Sequence, residues 1–127
     1  MGLEGVRLLF NEDDGHETRR LVAWQRGETL IVEEATAGPS TLDVYGMGRH
    51  THRVIARAAD VERYLVDRGY GPLRRRGLEA FFRAHPSLLD FEDGLDWAGV
   101  AYTYASEGPR STSYRTSGPG GGEGERP

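Results

Sequence analysis

The chain predicts an α+β fold: an antiparallel sheet of four to five strands in the order ββββααα(β), with helices packed on one face. Three features point there. The first half alternates apolar and polar residues with a period of two and is cut by short turn clusters. From Asp60 to Ala98 the apolar residues instead recur three and four apart, between residues that start and stop helices. A last run, Val100 to Ala105, returns to the strand period.

In the first strand Val6, Leu8 and Phe10 alternate with Arg7 and Leu9, and Asp13-Asp14-Gly15 supplies a turn. Arg20, Val22 and Trp24 alternate with Leu21 and Ala23 in the second, and Arg26-Gly27-Glu28 turns the chain into a third, Leu30 to Val32, ending at Glu33-Glu34. Ala35 to Gly48 reads as a loop with two breaker clusters, Gly38-Pro39-Ser40 and Gly46-Met47-Gly48. The fourth strand, Arg49 to Arg57, sets His50, His52, Val54 and Ala56 on one face and Thr51, Arg53, Ile55 and Arg57 on the other.

Asp60 is a good N-cap for a helix from Val61 to Arg68, and Gly69 suits its C′ position. Pro72 opens a second helix with Leu73, Leu78, Phe81 and Phe82 inward and Gly77 as a weak point; His85-Pro86 ends it. A third, Ser87 to Ala98, offers Leu88, Phe91, Leu95 and Trp97 to the core and stops at Gly99. From Glu107 the chain is rich in Gly, Pro and Ser and cannot bury enough apolar surface to offset its ordering entropy. The expected organisation is one domain over 1–106 and a disordered tail over 107–127.

Composition excludes several chemistries. There are no cysteines, which removes disulfides, thiolate nucleophiles and Cys-ligated metals. All sixteen basic residues are arginine, so there is no P-loop or Schiff-base lysine. No apolar run approaches the ~20 residues that span a bilayer, so a cytoplasmic protein with no membrane partner is expected.

Charge is segregated. Residues 1–48 hold four arginines and nine acids, 49–83 hold nine arginines and four acids, and 84–107 hold five acids and no arginine. Arg74, Arg75 and Arg76 form the densest basic patch.

His50-Thr51-His52 is the sharpest local pattern, since residues two apart on a strand point the same way and an HxH pair can chelate one ion. Asp43, Glu33 and Glu34 are candidate further ligands, none at a diagnostic spacing. Glu12 to Glu17 is dense in acids but lacks the regular spacing and closing Glu of a calcium loop, and reads as a charged hairpin tip. No G-x-S-x-G turn or dinucleotide-binding glycine run is present.

Gly27-x-x-Leu30-x-Val32, Gly38-Pro39, Tyr45-Gly46 and Phe91-x-x-x-Leu95-x-x-x-Gly99-Val100-x-Tyr102 resemble small uncharacterised proteins of high-GC actinobacteria, over roughly residues 25 to 106. This chain departs from them at Thr36, where an acid is usual, and at His50 and His52, where acidic and aromatic residues are favoured. The resemblance implies an α+β fold and assigns no activity.

By elimination the expected function is non-catalytic: a protein-interaction module, immunity- or adaptor-like, with no cofactor and no catalytic residue. Its expected contacts are the Gly-rich loop and adjacent charged surface: Gly38, Asp43, Tyr45, Arg49, Arg53, Arg74, Arg75 and Arg76. Two alternatives stand beside it, an arginine-patch nucleic-acid binder or regulator, and a metal-dependent enzyme using His50 and His52. Pairing of sheet edges into a homodimer stays open.

Overall fold

The computed structural model describes residues 5–13, 15–38, 49–107 and 112–117. Strands β1 (Arg7–Asp13), β2 (Thr18–Arg26), β3 (Thr29–Ala37) and β4 (Arg49–Arg57) form an antiparallel meander. Helices α1 (Ala58–Asp67), α2 (Gly77–Ala84) and α3 (Leu88–Ala98) follow, with a 3-10 turn at Leu73–Arg75 between the first two. The chain then re-enters the sheet as β5 (Tyr102–Glu107) beside β4 and β6 (Thr112–Ser117) beside β5, giving the order β1-β2-β3-β4-β5-β6. The fold is α+β as expected, but the sheet has six strands, because part of the expected disordered tail pairs with β5. Thr-Ser-Tyr-Arg-Thr-Ser has the β-branched and aromatic content of a strand, and the edge of β5 offers it a ladder of backbone partners.

One sheet face carries the core. Ala23, Val32 and Val54 stand side by side across β2, β3 and β4 and are buried with Leu21, Leu30, Ala56 and Tyr102. The helices cover this face with Val61, Leu65, Leu78, Phe82, Phe91 and Leu95. Each such side chain contributes roughly 1.5–3 kcal/mol by leaving water. Phe81, Phe82 and Phe91 pack together with ring centroids 5.0–5.5 Å apart.

Local chemistry explains where elements begin and end. The β2–β3 turn is the two-residue Gly27-Glu28, with Gly27 at φ +59°, since Arg26 pairs with Thr29. Helix α1 starts at Ala58, three residues before the expected Val61. The Ala58 N–H is taken by the Glu28 carbonyl at 2.8 Å, so the neighbouring hairpin caps the helix and Asp60 falls in its first turn. Its end is a Schellman motif: Gly69 has φ +89°, its N–H donates to Val66 O at 3.0 Å, and the Tyr70 N–H donates to Leu65 O at 2.8 Å.

The expected second helix is split. Gly77 packs so closely on the Gly71 carbonyl that a Cβ there would collide with it, and Arg76 before it is left-handed at φ +63°. Ser87 Oγ accepts the Asp90 N–H at 3.5 Å to start α3, and Gly99 ends it at φ +74°.

Three expectations are corrected. β1 carries a bulge between Leu8 and Phe10, so Leu9 and Phe10 both pack on the core while Val6 and Leu8 are exposed. β3 runs on to Ala37, because Ala35, Thr36 and Ala37 find partners on β4. Trp97, expected in the core, lies off the Leu88, Phe91 and Leu95 stripe and is 81 % exposed.

Candidate functional site

Beyond Val54 the inner sheet face turns polar. The strand period places His50 and His52 there, and β5, with Tyr104 opposite Val54 and Ser106 opposite His52, adds two hydroxyls. His50 Nδ1 lies 3.0 Å from His52 Nε2, His50 Nε2 lies 3.0 Å from Ser106 Oγ, and His52 Nδ1 is hydrogen-bonded to the Tyr104 hydroxyl. The two imidazole centroids are 4.3 Å apart. Thr36 Oγ1 on β3 donates to the His50 carbonyl at 3.5 Å.

This chain of four side chains has two complete arrangements of its protons, one running from Tyr104 to Ser106 and one the reverse, and both leave each ring neutral. The environment favours that state. Burial, followed by the neighbouring His50, lowers the His52 pKa to about 4, and burial lowers that of His50.

The further metal ligands considered from sequence are not gathered here. Glu34 stands opposite His52, but its carboxylate accepts a 2.9 Å bond from Arg19, which also donates to the Pro86 carbonyl and stacks on Phe10. Glu33 is on the other face, bonded to Arg53 at 2.7 Å. Asp43 lies outside the described residues, among which no group of three His, Cys, Asp or Glu is placed to hold a metal ion.

Of the expected partner-binding residues, Gly38, Arg53, Arg74, Arg75 and Arg76 are among the described residues. Asp43, Tyr45 and the side chain of Arg49 lie outside them. Gly38 meets the β1–β2 connection closely, since a Cβ there would stand 2.6 Å from the His16 carbonyl oxygen. Arg53 is committed to Glu33 and sits 5.9 Å from the Trp24 ring centroid. Arg74, Arg75 and Arg76 are exposed on the 3-10 turn, with no carboxylate among the described residues within ion-pair distance.

The most exposed large apolar side chain described was not expected at a surface site. Trp97 has the Arg68 guanidinium 5.6 Å from its ring centroid, a contact that orients the indole. Leu89, eight residues earlier on the same helix, is 62 % exposed, and Asp90, Asp93 and Asp96 are exposed around them. The signal was in the spacing: 89, 93 and 97 are four apart and offset from the buried stripe.

A cleft of about 390 Å³ opens between the β2–β3 turn and α1, lined by Glu28, Arg57, Ala59, Arg63, Val66 and Leu73. No described helix is long and apolar enough to cross a membrane. Compared with protein-family models, curated proteins and solved structures, the chain matches none.

Proposed function

We propose that this chain is a non-catalytic protein-interaction module, of the immunity or adaptor kind, and that it docks its partner through the outward face of α3. The observation that carries this reading is Trp97: a rigid aromatic that stands 81 % exposed and is stacked by Arg68 costs little entropy to immobilise and gains much from burial. Leu89 widens the apolar contact, and the aspartates around it steer a basic surface toward it. The face differs from the loop-centred one expected from sequence.

Capture from the native host on immobilised full-length chain, with and without nuclease, tests this by mass spectrometry. The reading expects one nuclease-resistant protein at near-equal stoichiometry. Recovery of nothing but nuclease-sensitive material would reject it.

A second reading, nucleic-acid binding, is favoured by the three exposed arginines, Arg74, Arg75 and Arg76, on and just after the 3-10 turn that follows Pro72. It predicts affinity for duplex or single-stranded probes that falls steeply with salt and weakens when Arg74, Arg75 and Arg76 are replaced by Gln.

A further inference from the structure

We propose that His50 and His52 form a two-imidazole chelate for one late first-row divalent ion, Cu²⁺ in preference to Ni²⁺ or Zn²⁺, at the polar end of the inner sheet face. The inference is independent of the protein-binding reading and uses a different part of the molecule.

Geometry is the first argument. His50 Nδ1 and His52 Nε2 lie 3.0 Å apart, with their ring centroids 4.3 Å apart, so the two nitrogens are close without facing each other head-on. Two nitrogens each about 2.05 Å from a metal are ~2.9 Å apart at adjacent corners of a square and ~3.3 Å apart at corners of a tetrahedron. The observed separation is near the square value, which suits Cu²⁺, and a small hinge of either ring reaches the tetrahedral one.

The outer nitrogens supply the second argument. His50 Nε2 is held by Ser106 Oγ at 3.0 Å and His52 Nδ1 by the Tyr104 hydroxyl. A metal-bound imidazole places its remaining N–H on an oxygen acceptor, which fixes the tautomer and the ring plane. β5 provides one such oxygen to each ring.

Protons balance without an outside acid or base. In the metal-free chain each ring carries one proton, and one of the two lies between the rings. When the bridging proton moves to an outer nitrogen, both rings stay neutral, and His50 Nε2–H and His52 Nδ1–H donate to Ser106 and Tyr104. Both inner lone pairs then face the ion, and no proton leaves the protein.

Water completes the coordination sphere, since no third His, Cys, Asp or Glu among the described residues joins the pair. The site is therefore exchangeable rather than structural, and with two nitrogen ligands the metal order follows intrinsic affinity, which is highest for Cu²⁺.

The test is equilibrium dialysis of tag-free, full-length chain against Cu²⁺, Ni²⁺ and Zn²⁺, with electron paramagnetic resonance of the Cu²⁺ form. One Cu²⁺ per chain is expected, with hyperfine coupling from two imidazole nitrogens. His50→Gln and His52→Gln should each weaken binding at least tenfold, Tyr104→Phe and Ser106→Ala by about tenfold or more through loss of the oriented ring, and His16→Gln and His85→Gln not at all. If a histidine variant fails to fold, the nitrogen count in the unaltered protein decides: two supports the chelate, and one or none overturns it. Absence of stoichiometric Cu²⁺, or binding indifferent to both His50→Gln and His52→Gln, also overturns it.

Discussion

The Tyr64 hydroxyl on α1 occupies the space that a side chain at position 94 on α3 would need: a Cβ built on Gly94 would overlap that oxygen and lie 2.9 Å from Tyr64 Cζ. The glycine is therefore there for packing, in the middle of a helix where it would otherwise cost about 1 kcal/mol relative to alanine. Gly94→Ala gains that propensity and loses more to crowding, for a net destabilisation of roughly 1–2 kcal/mol. Adding Tyr64→Phe removes the overlapping oxygen and should restore part of the loss. Urea unfolding of the two single variants and the double variant measures the coupling, and strict additivity would show that the two residues do not compete for space.

The Arg76-Gly77 step makes a paired prediction of opposite signs. Arg76 is the non-glycine residue with positive φ among the described residues, so Arg76→Gly should stabilise by about 0.5–1 kcal/mol. Gly77→Ala should destabilise by roughly 2 kcal/mol or more, because its new methyl meets the Gly71 and Pro72 carbonyls, which cannot swing aside as a side chain can. Thermal unfolding of both variants checks the pair.

Tyr64 also gives a pH dependence. Burial raises its pKa above the ordinary 10, with Arg68 opposing and Tyr70 adding to the shift. Above pH 10 the unfolded chain loses the phenol proton while the folded one keeps it, so stability from this group is complete below pH 10 and falls as pH rises through the folded pKa. Urea midpoints between pH 9 and 11.5 should fall more steeply in the native chain than in Tyr64→Phe. Equal slopes would contradict a buried, neutral phenol.

Much of this was legible in the sequence, because the signals were local. The Gly27 turn, the Gly69 and Gly99 stops and the weak point at Gly77 each follow from one residue's backbone preference. What was missed depends on register. The bulge at Leu9 reverses which of Leu8 and Leu9 faces the core, and nothing in an alternating run announces an extra residue. His50-Thr51-His52 was visible as a pair, but Ser106 and Tyr104 join it only through the β4–β5 register, across more than fifty intervening residues. Trp97 reads as a core candidate by its apolarity; its helical angle, offset from Phe91 and Leu95, is the better guide to its 81 % exposure.

The proposal that α3 binds a protein rests on Trp97, and the most direct test compares native chain with Trp97→Ala for affinity toward the partner captured from the host. Because Trp97 is 81 % exposed, the substitution should leave the unfolding temperature within a degree or two while weakening partner binding by roughly 2 kcal/mol or more, about thirtyfold. Undiminished affinity in a folded Trp97→Ala chain would contradict the account and move the interface elsewhere on the protein.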